Sequence, residues 1–349
     1  SDATLAVTAD APPLTRGRVT GVITGLTTTI RGVTADLRMP DNRTLSITDG
    51  AFVIPRITPE AVVAQIGLRL GGGADALVSL MQTKMFKSLT GVDIDPASVK
   101  GTADLRIDFP LNLKHIPDLP DLPVTISGTL ADIGVDKAFG KERLDAGRFT
   151  VSYDRGAFAL KGDARVQGSP LTVDLRQPKP GAPGEVLVNL SLDEALRAKK
   201  GLPVSPQITG AIPVKIAVPI GRPGSGKPPI RIEADLARAG IDGVVPGFAK
   251  PAGKPGRLAF TLTESAGGGS YELRDIVLDA APAQARGTAT LGADGLVERA
   301  DLSSLKLSPG DDMRLQLERS GNSYRIAVKG AVADARPILR GLTGPEGKG

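Results

Sequence analysis

From Lys100 onward, apolar residues fall on every second position, in segments that recur along the chain. In VKGTADLRIDFPL, from Val99, the alternating set is Leu105, Ile107, Phe109 and Leu111. In ITGAIPVKIAVPI, from Ile208, it is Val214, Ile216, Val218 and Ile220, and Gly101 of the first segment is answered by Gly210 of the second. VTISGTLADIGV from Val124 is echoed by IRIEADLARAGI from Ile230, and AGRFTVSY from Ala146 by PGRLAFTL from Pro255. Successive side chains point to opposite faces of a strand, so a period of two gives each segment one apolar and one wetter face. This predicts a mainly β fold: a long twisted antiparallel sheet of repeated hairpins with a few short helices. The repeat divides the chain into N-terminal strands with a helix (1–100) and two β-repeat units (101–205 and 206–349), each ending in a short helix. Together they are expected to form one continuous elongated module.

Before the repeat, strands are expected in RVTGVITGL from Arg18, VTADLRM from Val33 and TLSITDGAFVIP from Thr44. Pro40-Asp41-Asn42 and Asp49-Gly50 read as hairpin connections. In EAVVAQIGLRL, from Glu60, Thr58-Pro59 resembles a helix start, but Ile66, Leu68 and Leu70 alternate and favour a strand. Gly71-Gly72-Gly73 is expected to break the pattern before the helix ADALVSLMQTKMFKSL, whose Leu77, Leu80, Met81 and Met85 share one stripe. Such a stripe is the signature of core packing. A second helix is expected in SLDEALRAKKGL, capped by Ser191 or Asp193, with Lys199 and Lys200 in its last turn and Gly201 ending it. A third is expected in ADARPILRGL, near Asp334, with Pro337 in its first turn.

Composition narrows what the sheet can do. The chain has 349 residues, no Cys, no Trp, three Tyr and eight Phe, so its core is built from Val, Ile, Leu and Ala. Without Cys there are no disulfides, thiolate metal sites or Cys nucleophiles. The 43 basic and 38 acidic residues are well mixed, with no basic stripe interleaved with aromatics, which argues against nucleic acid as a partner. Apolar runs fall far short of the ~20 residues of a membrane helix. The opening SDATLAVTADAPPL carries neither a signal peptide nor an initiator Met. The chain is therefore expected to be an internal piece of a larger protein, whose membrane contact lies in segments outside it.

Chemistry-bearing motifs are sparse. GRPGSGKPP, from Gly221, matches a phosphate loop except that Pro228 stands where a Ser or Thr would hold magnesium, and it reads as an exposed, mobile hairpin loop. His115, the one histidine, lies in a Pro-rich segment and reads as a loop residue. The pairs Asp93/Asp95, Asp118/Asp121 and Asp311/Asp312 lack calcium-loop spacing and read as solvated turns. No catalytic residue, metal or cofactor is expected, although glycosidase carboxylates far apart in sequence would leave no local motif.

LRMPDNRTLSITDGAFVIP, LGGGADALVSLMQ and VDIDPASVKGTADLRIDFPL together resemble the AsmA-like superfamily, in its YhdP and TamB type. VPGFAKPAGKPGRL and SYRIAVKGAVADARPILRGL resemble later parts of the same pattern, so the likeness runs from about Thr34 to Leu342. Phe248 departs from it, standing where the family has a tryptophan. The resemblance implies a periplasmic segment of an inner-membrane-anchored Gram-negative protein, with strands coiled into an open apolar groove (a β-taco). It further implies phospholipid transport between the two membranes, and in some members help with outer-membrane protein assembly.

An aliphatic floor suits acyl chains because it asks for no hydrogen bonds. The set expected to line it is Leu105, Ile107, Phe109, Val124, Ile126, Val151, Val214, Ile216, Val218, Ile230, Ile232, Leu258 and Phe260. A one-residue slip would invert the choice of face. On composition alone the same faces could close on each other as a sandwich; the repeat and the resemblance favour the groove. The partners expected are phospholipid acyl chains. The alternative is an interaction module that offers strand edges to outer-membrane proteins.

Overall fold

The computed structural model describes residues 12–334, apart from 59–61, 85, 87–93, 119–120, 140–141, 179–181, 203, 221–227, 244–247, 266–267 and 322. Over these residues the fold is mainly β, antiparallel and open, as the alternation predicts. The chain divides into two compact units, Ser1–Gly184 and Glu185–Gly349.

The first unit is a meander. Its strands are β1 (Leu14–Thr24), β2 (Thr27–Arg38), β3 (Thr44–Ile54), β4 (Val63–Gly73), β5 (Val99–Asn112), β6 (Thr125–Phe139), β7 (Glu142–Asp154), β8 (Ala157–Val166) and β9 (Ser169–Gln177). Each pairs antiparallel with the next. Arg155-Gly156 and Gln167-Gly168 close the last two hairpins with positive φ at both residues, the backbone that matches the twist of paired strands.

Register sorts the side chains by face. Leu14, Leu37, Leu45, Gly72, Ala103, Leu130, Phe149, Gly162 and Val173 are successive cross-strand partners from β1 to β9, and none is polar. One residue along, on the opposite face, the same ladder reads Thr15, Asp36, Ser46, Gly71, Asp104, Thr129, Thr150, Lys161 and Asp174. Apart from Gly71, every member there is polar.

Two local expectations are corrected. Asp49-Gly50 is not a hairpin turn: it lies inside β3, with Asp49 at φ 50° and the pairing shifted on both sides. It is a bulge, which costs one residue of register and keeps Ile47 and Phe52 on the same face. Nor does Gly71-Gly72-Gly73 break the strand. All three stay paired in β4, and a Cβ on Gly72 would meet the Leu45 side chain at 2.9 Å. Small residues are required there because the chain passes close over its neighbour.

Helix α1 (Ala74–Met81) follows directly, shorter than its stripe suggests, and Met85 lies outside the described residues. Its Ala76 and Leu80 are buried against Met39, Leu45, Leu70 and Leu105. The turn between β2 and β3 holds it in place: Arg43 Nε donates to Asp75 at 2.9 Å, and Ser79 Oγ to Asp41 at 2.7 Å.

The second unit begins within β10 (Gly184–Leu192) and continues into α2 (Glu194–Lys199), the predicted second helix. Its Leu196 N–H donates to the Asp193 carboxylate at 2.8 Å, and Gly201 leaves the helix at φ 67°. The main sheet runs through β12 (Ile212–Ile220), β13 (Ile230–Asp235), β16 (Arg257–Glu264), β17 (Tyr271–Ala280), β18 (Ala283–Leu291), β19 (Val297–Lys306), β20 (Asp312–Ser320) and β21 (Ser323–Val332). A small sheet of β11 (Ile208–Thr209), β14 (Gly240–Asp242) and β15 (Ala249–Lys250) branches from it.

Two buried cations tie the small sheet down. Arg197 donates to the carbonyls of Leu192, Gly210 and Ile208 at 2.7–3.0 Å. Lys250 Nζ donates to Ala239 O at 2.9 Å, and its burial lowers its pKa against the opposing pull of Asp235. The third expected helix and most of the loop from Gly221 lie outside the described residues. Gly101 and Gly210 share a physical reason: both have positive φ, and a Cβ on either would collide with a carbonyl oxygen, of Ala131 or of Arg238.

Candidate functional site

The candidate site in each unit is its aliphatic face, which stays partly exposed. In the first unit, Leu105, Ile107, Ile126 and Val151 come together in one cluster with Leu68 and α1. Pairing sets Ile107 beside Ile126, and Leu70 beside Leu105. Phe109 pairs with Ile66 farther along the same face, outside that cluster, and Val124 sits just before β6 begins. Leu105 is buried, whereas Ile107, Phe109, Val124, Ile126 and Val151 are half-buried.

The second unit repeats this arrangement. Val214 is buried, and Ile216, Ile232 and Leu258 pack beside it in a cluster that includes Leu236, Ile241 and Phe248. Phe248, at the position where a tryptophan was expected, is thus a core aromatic, with Ile241 of the small sheet in the same cluster. Ile216 pairs with Ile232, and Ile232 with Phe260. Val218, Ile230 and Phe260 lie farther along the strands, half-buried and outside the cluster.

The floor is wider than the thirteen residues suggest. Val214, Ala234, Leu258, Leu278, Ala285, Leu305 and Met313 are successive partners from β12 to β20. Farther along, Ile230, Leu262, Leu273, Ala289, Ala300, Leu317 and Ile326 form a second ladder from β13 to β21. Sequence reasoning missed the floor residues of β17 to β21; bulges interrupt the alternation in β17 and β19, whereas Met313, Leu315 and Leu317 in β20 and Tyr324, Ile326 and Val328 in β21 do alternate. At Asp275, with φ 52°, one extra residue moves the apolar set of β17 from odd positions (Tyr271, Leu273) to even ones (Ile276, Leu278).

Caps cover one end of each floor. Helix α1 lies over Leu45, Leu70 and Leu105, while the small sheet contributes Ile241 to the cluster around Val214 and Ala234. Beyond the caps most floor residues remain half-exposed, Ile54 and Ala64 being buried exceptions. A closed sandwich would bury them all; among the described residues Ile66, Ile107, Phe109, Ile126, Val218 and Phe260 stay only half-buried.

The polar face is electrostatically self-contained. Arg69 pairs with Asp104, Arg106 with Asp108 and Arg176 with Asp174. The hydrogen bond from Arg69 holds the Asp104 carboxyl below its ordinary range, and Arg176 does the same for Asp174. These are exposed, screened pairs of small energetic weight. His115 is exposed in a turn. Among the described residues no three His, Asp or Glu side chains gather as metal ligands, and no helix is long and apolar enough to cross a membrane. One acidic expectation fails: Asp311 is buried, its carboxylate accepting from the N–H groups of Leu307, Ser308 and Asp334 at 2.7–2.9 Å. No known protein family, curated protein or solved structure matches this chain.

Proposed function

We propose that each unit shields acyl chains on its aliphatic face, as a periplasmic segment of an inner-membrane-anchored AsmA-like protein that supports phospholipid transport between the inner and outer membranes. The observation that carries this reading is the ladder itself: up to nine strands with only apolar or glycine partners on one face, backed by a polar ladder and left half-exposed beyond the caps. Contiguous exposed apolar surface of this kind marks an interaction site. Hydrocarbon suits it because burial is worth about 0.8 kcal/mol per CH₂ without any polar partner. Native mass spectrometry of the gently purified chain tests the proposal. Phospholipid-sized adducts that dissociate on activation support it, and a clean apo mass after expression in a Gram-negative host counts against it.

One observation favours a second reading, an interaction module for outer-membrane proteins. Strand β21 pairs only with β20 among the described residues, and all ten of its residues are exposed, Ile326, Val328 and Val332 included. An unpaired edge of that kind accepts a further strand. A client that binds by adding a strand would protect the β21 amides from hydrogen exchange and leave the floor of the first unit unchanged.

A further inference from the structure

The three tyrosines of this chain occupy equivalent places in the two units. Along β7 the floor side reads Phe149, Val151, Tyr153, passing from buried to half-exposed. Along β17 it ends in Leu273 and then Tyr271, and along β21 in Ile326 and then Tyr324. The register places each tyrosine on the aliphatic face, at the end away from α1 or the small sheet. Tyr271 and Tyr324 are 38% and 43% exposed. Beside Tyr324 stands its cross-strand partner Arg319, which follows Leu317 on the same face and is bonded to Asp294 at 2.6 Å; beside Tyr271 stands Glu264. In the second unit polarity begins at this line; in the first, Tyr153 closes the floor side of β7, while Phe109 and Val124 carry the apolar face farther on the neighbouring strands.

A tyrosine has an apolar ring and a hydroxyl that needs water or a partner, so it settles where hydrocarbon meets a polar phase. We infer that an acyl amphiphile lies on each floor with a fixed polarity: its alkyl end toward the capped residues Leu105 or Val214, its polar end at Tyr153 in the first unit and at Tyr271 and Tyr324 in the second. The caps close the tail end and the tyrosine line is where head groups leave the surface. The inference rests on the hydrocarbon reading above and adds an orientation to it.

The chain supplies its own reporters, since it has no tryptophan and only these three tyrosines. The full chain is titrated with two stearates, one carrying a nitroxide near the carboxylate and the other near the terminal methyl, and tyrosine emission is followed. The proposal expects the greater loss of emission from the carboxylate-side label. Tyr153→Phe isolates the second unit, and the double variant Tyr271→Phe, Tyr324→Phe isolates the first; the same order is expected in both. Equal or reversed quenching with lipid bound overturns the orientation while leaving hydrocarbon binding intact. No quenching, together with no lipid adduct in native mass spectrometry, removes the hydrocarbon reading and the orientation with it.

Discussion

Asp311 and Asp312 are adjacent and chemically identical, yet only one is a structural group. Asp312 is exposed at the start of β20; Asp311 turns inward and organises the loop after β19 through three backbone N–H donors. Burial pushes its pKa up, but the bonds from Asp334, Ser308 and Leu307 outweigh burial and leave it below the usual carboxylate value. A carboxylate with a depressed folded pKa contributes stability above its unfolded pKa, and that contribution is lost as pH falls through the folded one. Unfolding free energy should therefore decline as pH drops below about 4, and Asp311→Ala should flatten that decline. At neutral pH the variant should lose about 2 kcal/mol or more, because buried donors are left unpaired. Urea denaturation at pH 7 and pH 3 checks both; an equal slope with pH in the two proteins would contradict the assignment.

At the scale of elements, most strands were legible because alternation is a direct readout of which face meets water. What escaped was set by the partner strand. The Asp49-Gly50 bulge and the paired triple glycine of β4 depend on how closely β2, β3 and β5 approach, which no local window records. The role of α1 was half legible: its apolar stripe announced packing, but its anchors, Asp41 to Ser79 and Arg43 to Asp75, join segments more than thirty residues apart. The same limit applies to the candidate floor. Its β12 and β13 members could be read from alternation, whereas Leu273 in β17 and Ala300 in β19, set apart from their strands' other floor residues by bulges, required the register. Since Leu80, 8% exposed, packs α1 into the cluster of Leu45, Leu70 and Leu105, Leu80→Ala should destabilise the first unit by about 2–4 kcal/mol. Thermal and urea melts measure this, and a loss under about 0.5 kcal/mol, typical of a surface site, would mean that the helix does not close the end of the floor.

For the molecule as a whole, the decisive question is whether folding and binding can be separated. Ile216 and Ile232 face each other across β12 and β13, half-buried at the margin of the capped cluster. Ile216→Asp or Ile232→Lys alone should leave the protein folded while abolishing lipid adducts, because a charge among methyl groups repels hydrocarbon but still reaches water on an open face. Combining the two places opposite charges on directly opposed residues, which should return roughly 0.2–1 kcal/mol of stability without restoring binding. Outright unfolding of each single variant, with no lipid on the wild type, would favour a closed packing of the faces. A last consequence follows from the meander of the first unit, where each strand from β1 to β9 bonds to its chain neighbours. Duplicating or deleting one hairpin there inserts or removes two adjacent strands and leaves the parity of every remaining ladder untouched. Reach across the strands changes by about 9–10 Å per hairpin, so span can be set by counting hairpins while the surface chemistry stays constant.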